Sequence, residues 1–247
     1  MNTRSPRGFT LVEMLVSMGA GMIVLVLAVT SLRSTGDGYT RSTSSMSAER
    51  EARAVLTIAA EDLSKAVRGR EMVFGGGGEG WKKDELGFLC LQPEDAQSSS
   101  QWVGDLCAVV YYLDELEIGR DSVRCLMRGF RNSEETFDAL RSDGVAGLYE
   151  PKSVDEPVAF GVLAFEVEPL VRAGAGAWVE WTRADDAEWQ GPDAVRMRLV
   201  VARRELMGKL RKEGDWDSSP LLGDPEMADR SPDLEVYEVV NLFSHAN

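Results

Sequence analysis

The side chain whose position most demands a chemical explanation is Glu13, an ionisable group inside the apolar run FTLVEMLVSMGAGMIVLVLAVTSL that covers residues 9–32. No other charge interrupts that run. On the more lenient insertion scales a lone carboxylate in hydrocarbon costs about 2.5–3.5 kcal/mol, so an embedded acid implies a partner that neutralises it. Just upstream, the segment MNTRSPRG ends in Gly8, carries Arg4 and Arg7, and holds no acid.

Other candidates for chemistry are fewer than the composition suggests. The sequence holds one histidine, His245, the third residue from the carboxyl end counting Asn247 as the first. A terminal His can orient nothing, which removes a His-rich metal site and a conventional Ser-His-Asp or Cys-His nucleophile. Carboxylate pairs such as Glu134-Glu135 and Asp185-Asp186 are what chance supplies among 41 acids, and they read as solvated surface charge. Asp215, Asp217 and Asp224 lie in a loop rich in Pro, Gly and Ser and are the candidate ligands for a calcium ion, against a plain acidic loop. Cys90, Cys107 and Cys125 are spaced too widely for zinc knuckles. In an exported domain they allow one Cys107–Cys125 disulfide across a hairpin with one thiol left over; three buried reduced thiols are the alternative. Residues 75–80 read GGGGEG and formally satisfy a dinucleotide-binding pattern, but they follow an expected helix and lead into none, so they read as a loop. Trp178, Trp181 and Trp189 are expected to pack the core in preference to forming a binding face.

The elements that must position Glu13 come next. At about 1.5 Å per residue the apolar helix is roughly 36 Å long, enough to cross a bilayer core of about 30 Å. The basic leader places its end in the cytoplasm and the rest outside. Residues 34–47 are rich in Ser, Thr and Gly, and Gly36-Asp37-Gly38 is the expected break in the helix. Helix then resumes, with Ala52, Leu56, Ala59, Leu63 and Ala66 forming one apolar stripe and Glu49/Arg53 a solvent-side pair. Beyond it, strand-like runs cover 86–92, 106–114, 122–130, 162–170, 177–183, 194–206 and 236–243, divided by turn residues. In one of them Val195, Met197, Leu199 and Val201 alternate with Arg196, Arg198 and Val200, which predicts a half-buried strand. Strands do not alternate with helices, so the fold class is α+β: a long N-terminal hydrophobic helix, continuing into an amphipathic part, packed on antiparallel β-sheet.

Arg7-Gly8-Phe9-Thr10-Leu11-Val12-Glu13-Met14-Leu15 resembles the type III signal of type IV pilins and pseudopilins. In that family a membrane-embedded aspartyl peptidase cuts after the Gly and methylates the new amino terminus. The resemblance implies processing at Gly8 and Phe9, and a pairing of Glu13 with the amino terminus of a neighbouring subunit. It also implies a pilin-like fold and a subunit that works by assembly, with no enzymatic activity. Many pilins carry a helix-kinking proline in this helix; here none lies between residues 9 and 49.

A second, looser resemblance is to the minor pseudopilin J group. It rests on Leu56, Glu61-Asp62-Leu63, Gly176-x-Trp178-x-x-Trp181 and Gly191-Pro192-x-Ala194-Val195-x-x-x-Leu199, with the two tryptophans one residue closer than in that group. The implied organisation is a leader (1–8), a transmembrane assembly helix (9–33), a linker with amphipathic helix (34–70) and a periplasmic β-rich domain (71–247). The implied role is that of a single-pass inner-membrane protein of a type II secretion pseudopilus. Its partners would be the prepilin peptidase, the inner-membrane assembly platform and other major and minor pseudopilins. A minor type IV pilin of a surface fibre, used in adhesion or motility, and a membrane-anchored periplasmic ligand-binding module are the alternatives. The formal net charge of −14, which becomes −16 once Arg4 and Arg7 are removed, repels phosphate backbones and argues against nucleic acid.

Overall fold

The computed structural model describes residues 10–76, 80–92, 105–142, 144–182, 191–225 and 230–243. One helix, α1 (Leu11–Ser64), runs unbroken through residues 36–38, where a break is expected. Two glycines cost a helix about 1 kcal/mol each relative to alanine, a penalty that more than fifty helical residues absorb. The chain divides into two compact units, Met1–Ser44 and Ser45–Asn247. Residues 45–64 of α1 therefore belong to the second unit.

In the second unit the chain continues through β1 (Val73–Gly75), β2 (Glu85–Leu91), β3 (Leu106–Ile118) and β4 (Asp121–Arg131). Helices α2 (Ser133–Ser142) and α3 (Gly144–Leu148) lead to β5 (Glu156–Phe160), and these strands form an antiparallel sheet in the order β1-β2-β3-β4-β5. A second antiparallel sheet, ordered β7-β6-β8-β9, contains β6 (Val162–Arg172), β7 (Trp178–Glu180), β8 (Ala194–Ala202) and β9 (Leu234–Leu242). Short helices α4 (Arg204–Met207) and α5 (Asp215–Ser218) lie between β8 and β9. The expected strand over 194–206 ends early, because α4 begins at Arg204. Only Gly161 separates the two sheets, with φ +69° and Met207 Sδ 2.5 Å from where a Cβ would sit. Only glycine combines that backbone with that approach.

Period-two alternation explains why strands this apolar are sheet and not helix. Along β3, Cys107, Val109 and Tyr111 join one core cluster while Ala108, Val110 and Tyr112 join another. The first cluster is the main core: Ala48, Ala52, Val55, Leu56, Ala59 and Leu63 of α1 against Phe88, Phe165, Val195, Met197, Leu199 and Val201 of the sheets. The expected stripe on α1 and the expected inward face of β8 both lie there. The opposite face of the first sheet is covered by Leu148 and Tyr149, and that of the second by Leu206, Leu210, Trp216 and Leu222. Sheets buried on both faces need apolar residues at nearly every position, which β2 and the first half of β3 supply.

Candidate functional site

The first described residues form an N-terminal cap built around Glu13. The Thr10 N–H donates to Glu13 Oε2 at 3.1 Å and the Thr10 hydroxyl to the same oxygen at 3.0 Å, while the Glu13 N–H donates to Thr10 Oγ1 at 3.3 Å. This is the reciprocal arrangement of a capping box, with Thr10 at the cap and Glu13 three residues on. The T-x-x-E spacing at 10–13 carried that signal, and sequence reasoning centred on the embedded charge passed over it. Gly8 and Phe9, the expected processing pair, lie outside the described residues.

From Leu11 to Gly36 the helix is long and apolar enough to cross a membrane, with a mean hydropathy of 2.3 and none of its apolar window buried. Its hydroxyls turn back onto the helix. Ser17 donates to the Glu13 carbonyl at 2.7 Å, Thr30 to that of Val26 at 3.0 Å and Thr35 to that of Ser31 at 2.9 Å. Groups satisfied within the helix lose less on entering hydrocarbon, where water supplies no partners.

A second acid on α1 is held quite differently. Asp62 accepts from the Tyr111 hydroxyl at 2.6 Å, from Arg128 Nε at 2.8 Å and Arg128 Nη2 at 3.2 Å, and more distantly from Gln92 at 3.4 Å. Partners on β3 and β4 thus fix the end of α1 to the first sheet through a buried, charge-assisted group. The Asp-Leu pair at 62–63 serves both ends of that joint: the acid takes Arg128, and Leu63 is fully buried beside it. A further buried pair, Arg131 with Asp155, has side chains 2% and 0% exposed. Burial alone would raise the Asp155 pKa, but hydrogen bonds from Arg131, the Lys152 N–H and Tyr112 hold it below the usual carboxylate range.

Several expected sites are rearranged. Cys125 of β4 lies opposite Asp114, whereas Cys107 lies at the other end of β3. At about 3.4 Å per residue the two are roughly 24 Å apart, beyond any disulfide, and their side chains face different core clusters. All three cysteines are buried and free. Asp217, an expected calcium ligand, is ion-paired with Lys83 at 2.8 Å and Arg124 at 2.9 Å. Asp215 accepts backbone N–H groups of Arg211 and Lys212, both at 3.0 Å. Among the described residues no group of three or more His, Cys, Asp or Glu side chains is placed to hold a metal ion. Asp215 and Asp217 are thus held by donors of the chain itself, on either side of Trp216, which is buried and donates to the Ser122 carbonyl at 2.9 Å. Glu135 likewise has a structural task, capping α2 with Asn132.

Trp178 and Trp181 are half-buried at the β7 edge, outside the core clusters expected for them. Trp178 lies under Arg172, 5.2 Å from the ring centre, and Trp181 meets Phe74 edge-on at 6.0 Å. Trp181, Phe74, Lys82 and Glu180 line a cleft of about 650 Å³ between β1 and the edge of the second sheet. The glycine-rich run begins at the end of β1, not after a helix as expected, and among the described residues the next element is strand β2. Trp189, Asp185, Asp186 and His245 lie outside the described residues.

Residues 3–29 match the prokaryotic N-terminal methylation motif. No curated protein matches the chain. Among solved structures the chain is similar to a type IV-like pilin from Thermus thermophilus, at 17% identity over 79% of this chain and 95% of that one, with a TM-score of 0.39. The methylation motif coincides with the start of a helix long and apolar enough to cross a membrane. The fold is α+β, with the stretch of α1 from Ala48 to Leu63 packed on antiparallel sheets.

Proposed function

We propose that this protein is a minor pseudopilin-like subunit that assembles into a short periplasmic pseudopilus for type II protein secretion, near its tip. The supporting observation is the coincidence of the methylation motif over residues 3–29 with an exposed apolar helix whose embedded acid, among the described residues, is held by its cap Thr10. In this reading a prepilin peptidase cuts after Gly8 and Phe9 becomes the methylated amino terminus. The helix holds the chain in the inner membrane, with the globular unit in the periplasm. On assembly through the inner-membrane platform, Glu13 leaves its cap and pairs with the amino terminus of an adjacent major or minor pseudopilin. An ion pair with a cationic amine there replaces hydrogen bonds from neutral donors, and in hydrocarbon that exchange is favourable. The J-like branch draws support from Asp62, which the fold uses as a buried anchor.

Mass spectrometry of the mature amino terminus from the native host tests the reading. A chain beginning at N-methylated Phe9 is expected; an intact Met1 overturns it. Loss of secretion without loss of surface fibres on deletion separates the secretion role from that of a minor type IV pilin, which would be recovered on sheared fibres. A plain membrane-anchored binding module predicts indifference to Glu13→Ala.

A further inference from the structure

The register of β2 and β3 sets Cys90 directly opposite Cys107. Backbone bonding places the two in a hydrogen-bonded pair, whose Cα atoms lie about 5.5 Å apart, within the span of about 4.4–6.8 Å that a disulfide bridges; the Cβ atoms must close by about 1 Å for the bond to form. Residues opposite one another point to the same side of the sheet, and both thiols enter the core cluster beneath α1, fully buried. Cys125 belongs to the cluster on the other face, under α2 and α3, and has Asp114 opposite it. Thus two of the three cysteines, free in this structure, face one another across neighbouring strands, and the third has no cysteine opposite it.

We propose that Cys90 and Cys107 are a disulfide site that closes while the domain folds under oxidising conditions, stapling β2 to β3. The oxidant is a protein or small-molecule disulfide. One cysteine thiolate attacks it and releases a thiol; the second thiolate attacks the mixed disulfide and releases the other. The pair gives up two protons and two electrons, and the oxidant gains them as two thiols. The timing follows from burial. In the folded domain burial pushes the Cys90 thiol up to about 12, which leaves almost no thiolate to react, so exchange precedes closure of the core beneath α1. Once made, the bond is inaccessible to reductants for the same reason. Its presence in the cell rests on the exported orientation proposed above, whereas its chemistry does not.

The experiment uses the full chain in detergent, reduced and unfolded, then refolded in a reduced and oxidised glutathione mixture. Free thiols are alkylated and the protein is digested for mass spectrometry. The expected result is a peptide joining Cys90 to Cys107, with Cys125 alone alkylated, and a thermal midpoint lowered by about 6–12 °C when the bond is reduced. Cys125→Ser is expected to keep both the link and the shift. Three alkylated cysteines, or a link that includes Cys125, overturn the proposal. A second measurement needs no refolding: cells of the native host are lysed directly into alkylating agent. A linked peptide there, alongside N-methylated Phe9, supports both readings. Three free thiols in cells, from a chain that links readily in glutathione, overturn the exported orientation and leave the pairing standing.

Discussion

Glu13 and Asp62 are carboxylates on the same helix, yet their partners come from opposite sources. Glu13 is held by Thr10, three residues away, while Asp62 is held by Tyr111 and Arg128 on strands 49 and 66 residues distant. The surroundings differ in the same sense. Around Glu13 the apolar side chains of Leu11, Met14 and Leu15 are exposed, while Leu63 beside Asp62 is fully buried. The first acid sits on a surface its own chain leaves uncovered, and the second closes a core its own chain completes. On the function proposed above, the helix carries assembly at one end and folding at the other.

The sharpest way to break this comparison is to remove Glu13. Glu13→Ala should reduce incorporation into the fibre or secretion complex on the order of tenfold or more, in line with about 2.5–3.5 kcal/mol for an embedded acid and its pairing. Thermal unfolding of the globular unit should not change. Equal incorporation of the variant and the parent, measured by cross-linking in the native host, would remove the assembly role.

The converse substitution is Asp155→Ala, which strands Arg131 in the interior. A loss of about 3–5 kcal/mol in chemical unfolding is expected. A loss below about 1 kcal/mol would show that the pair is solvated. For Asp62→Ala the figure is about 2–3 kcal/mol, since Arg128 keeps some contact with water. Adding Arg128→Met to that variant should recover part of the loss, and no recovery would mean that the two do not act as a pair.

Acid should affect the second region alone. For Asp155, Asp217 and Glu235 burial opposes ionisation, but hydrogen bonds and nearby cations hold each below the usual carboxylate range. A folded pKa below the unfolded value contributes stability that is present above about pH 4 and lost as pH falls through the folded values. The thermal midpoint should therefore hold level from neutral pH to about 4 and fall below it, less steeply in Asp155→Asn. Glu85, raised by burial, works in the opposite sense. A midpoint that falls steadily from pH 7 would contradict this account.

The smallest effect expected is at Gly36 and Gly38, where nothing lies within 4 Å of an added Cβ. Alanine at both should stabilise the helix by about 1 kcal/mol per site, visible as slower amide exchange across residues 34–44. Unchanged exchange would mean the segment is not helical in solution.

What the sequence alone determined is local in character. The spanning length of the first helix, the acid inside it, the stripe on residues 52–63 and the alternation along β8 follow from spacing within one element, and the structure keeps all of them. The tertiary structure decided whatever depends on which strand lies beside which. It made two sheets where the strand pattern named only antiparallel sheet, and it gave Asp62 its arginine. It placed Cys107 opposite Cys90 and not within reach of Cys125. The physical reason is that side-chain period fixes which face a residue takes, while register between strands is set by the packing of the whole core, and a slip of one residue reverses every face.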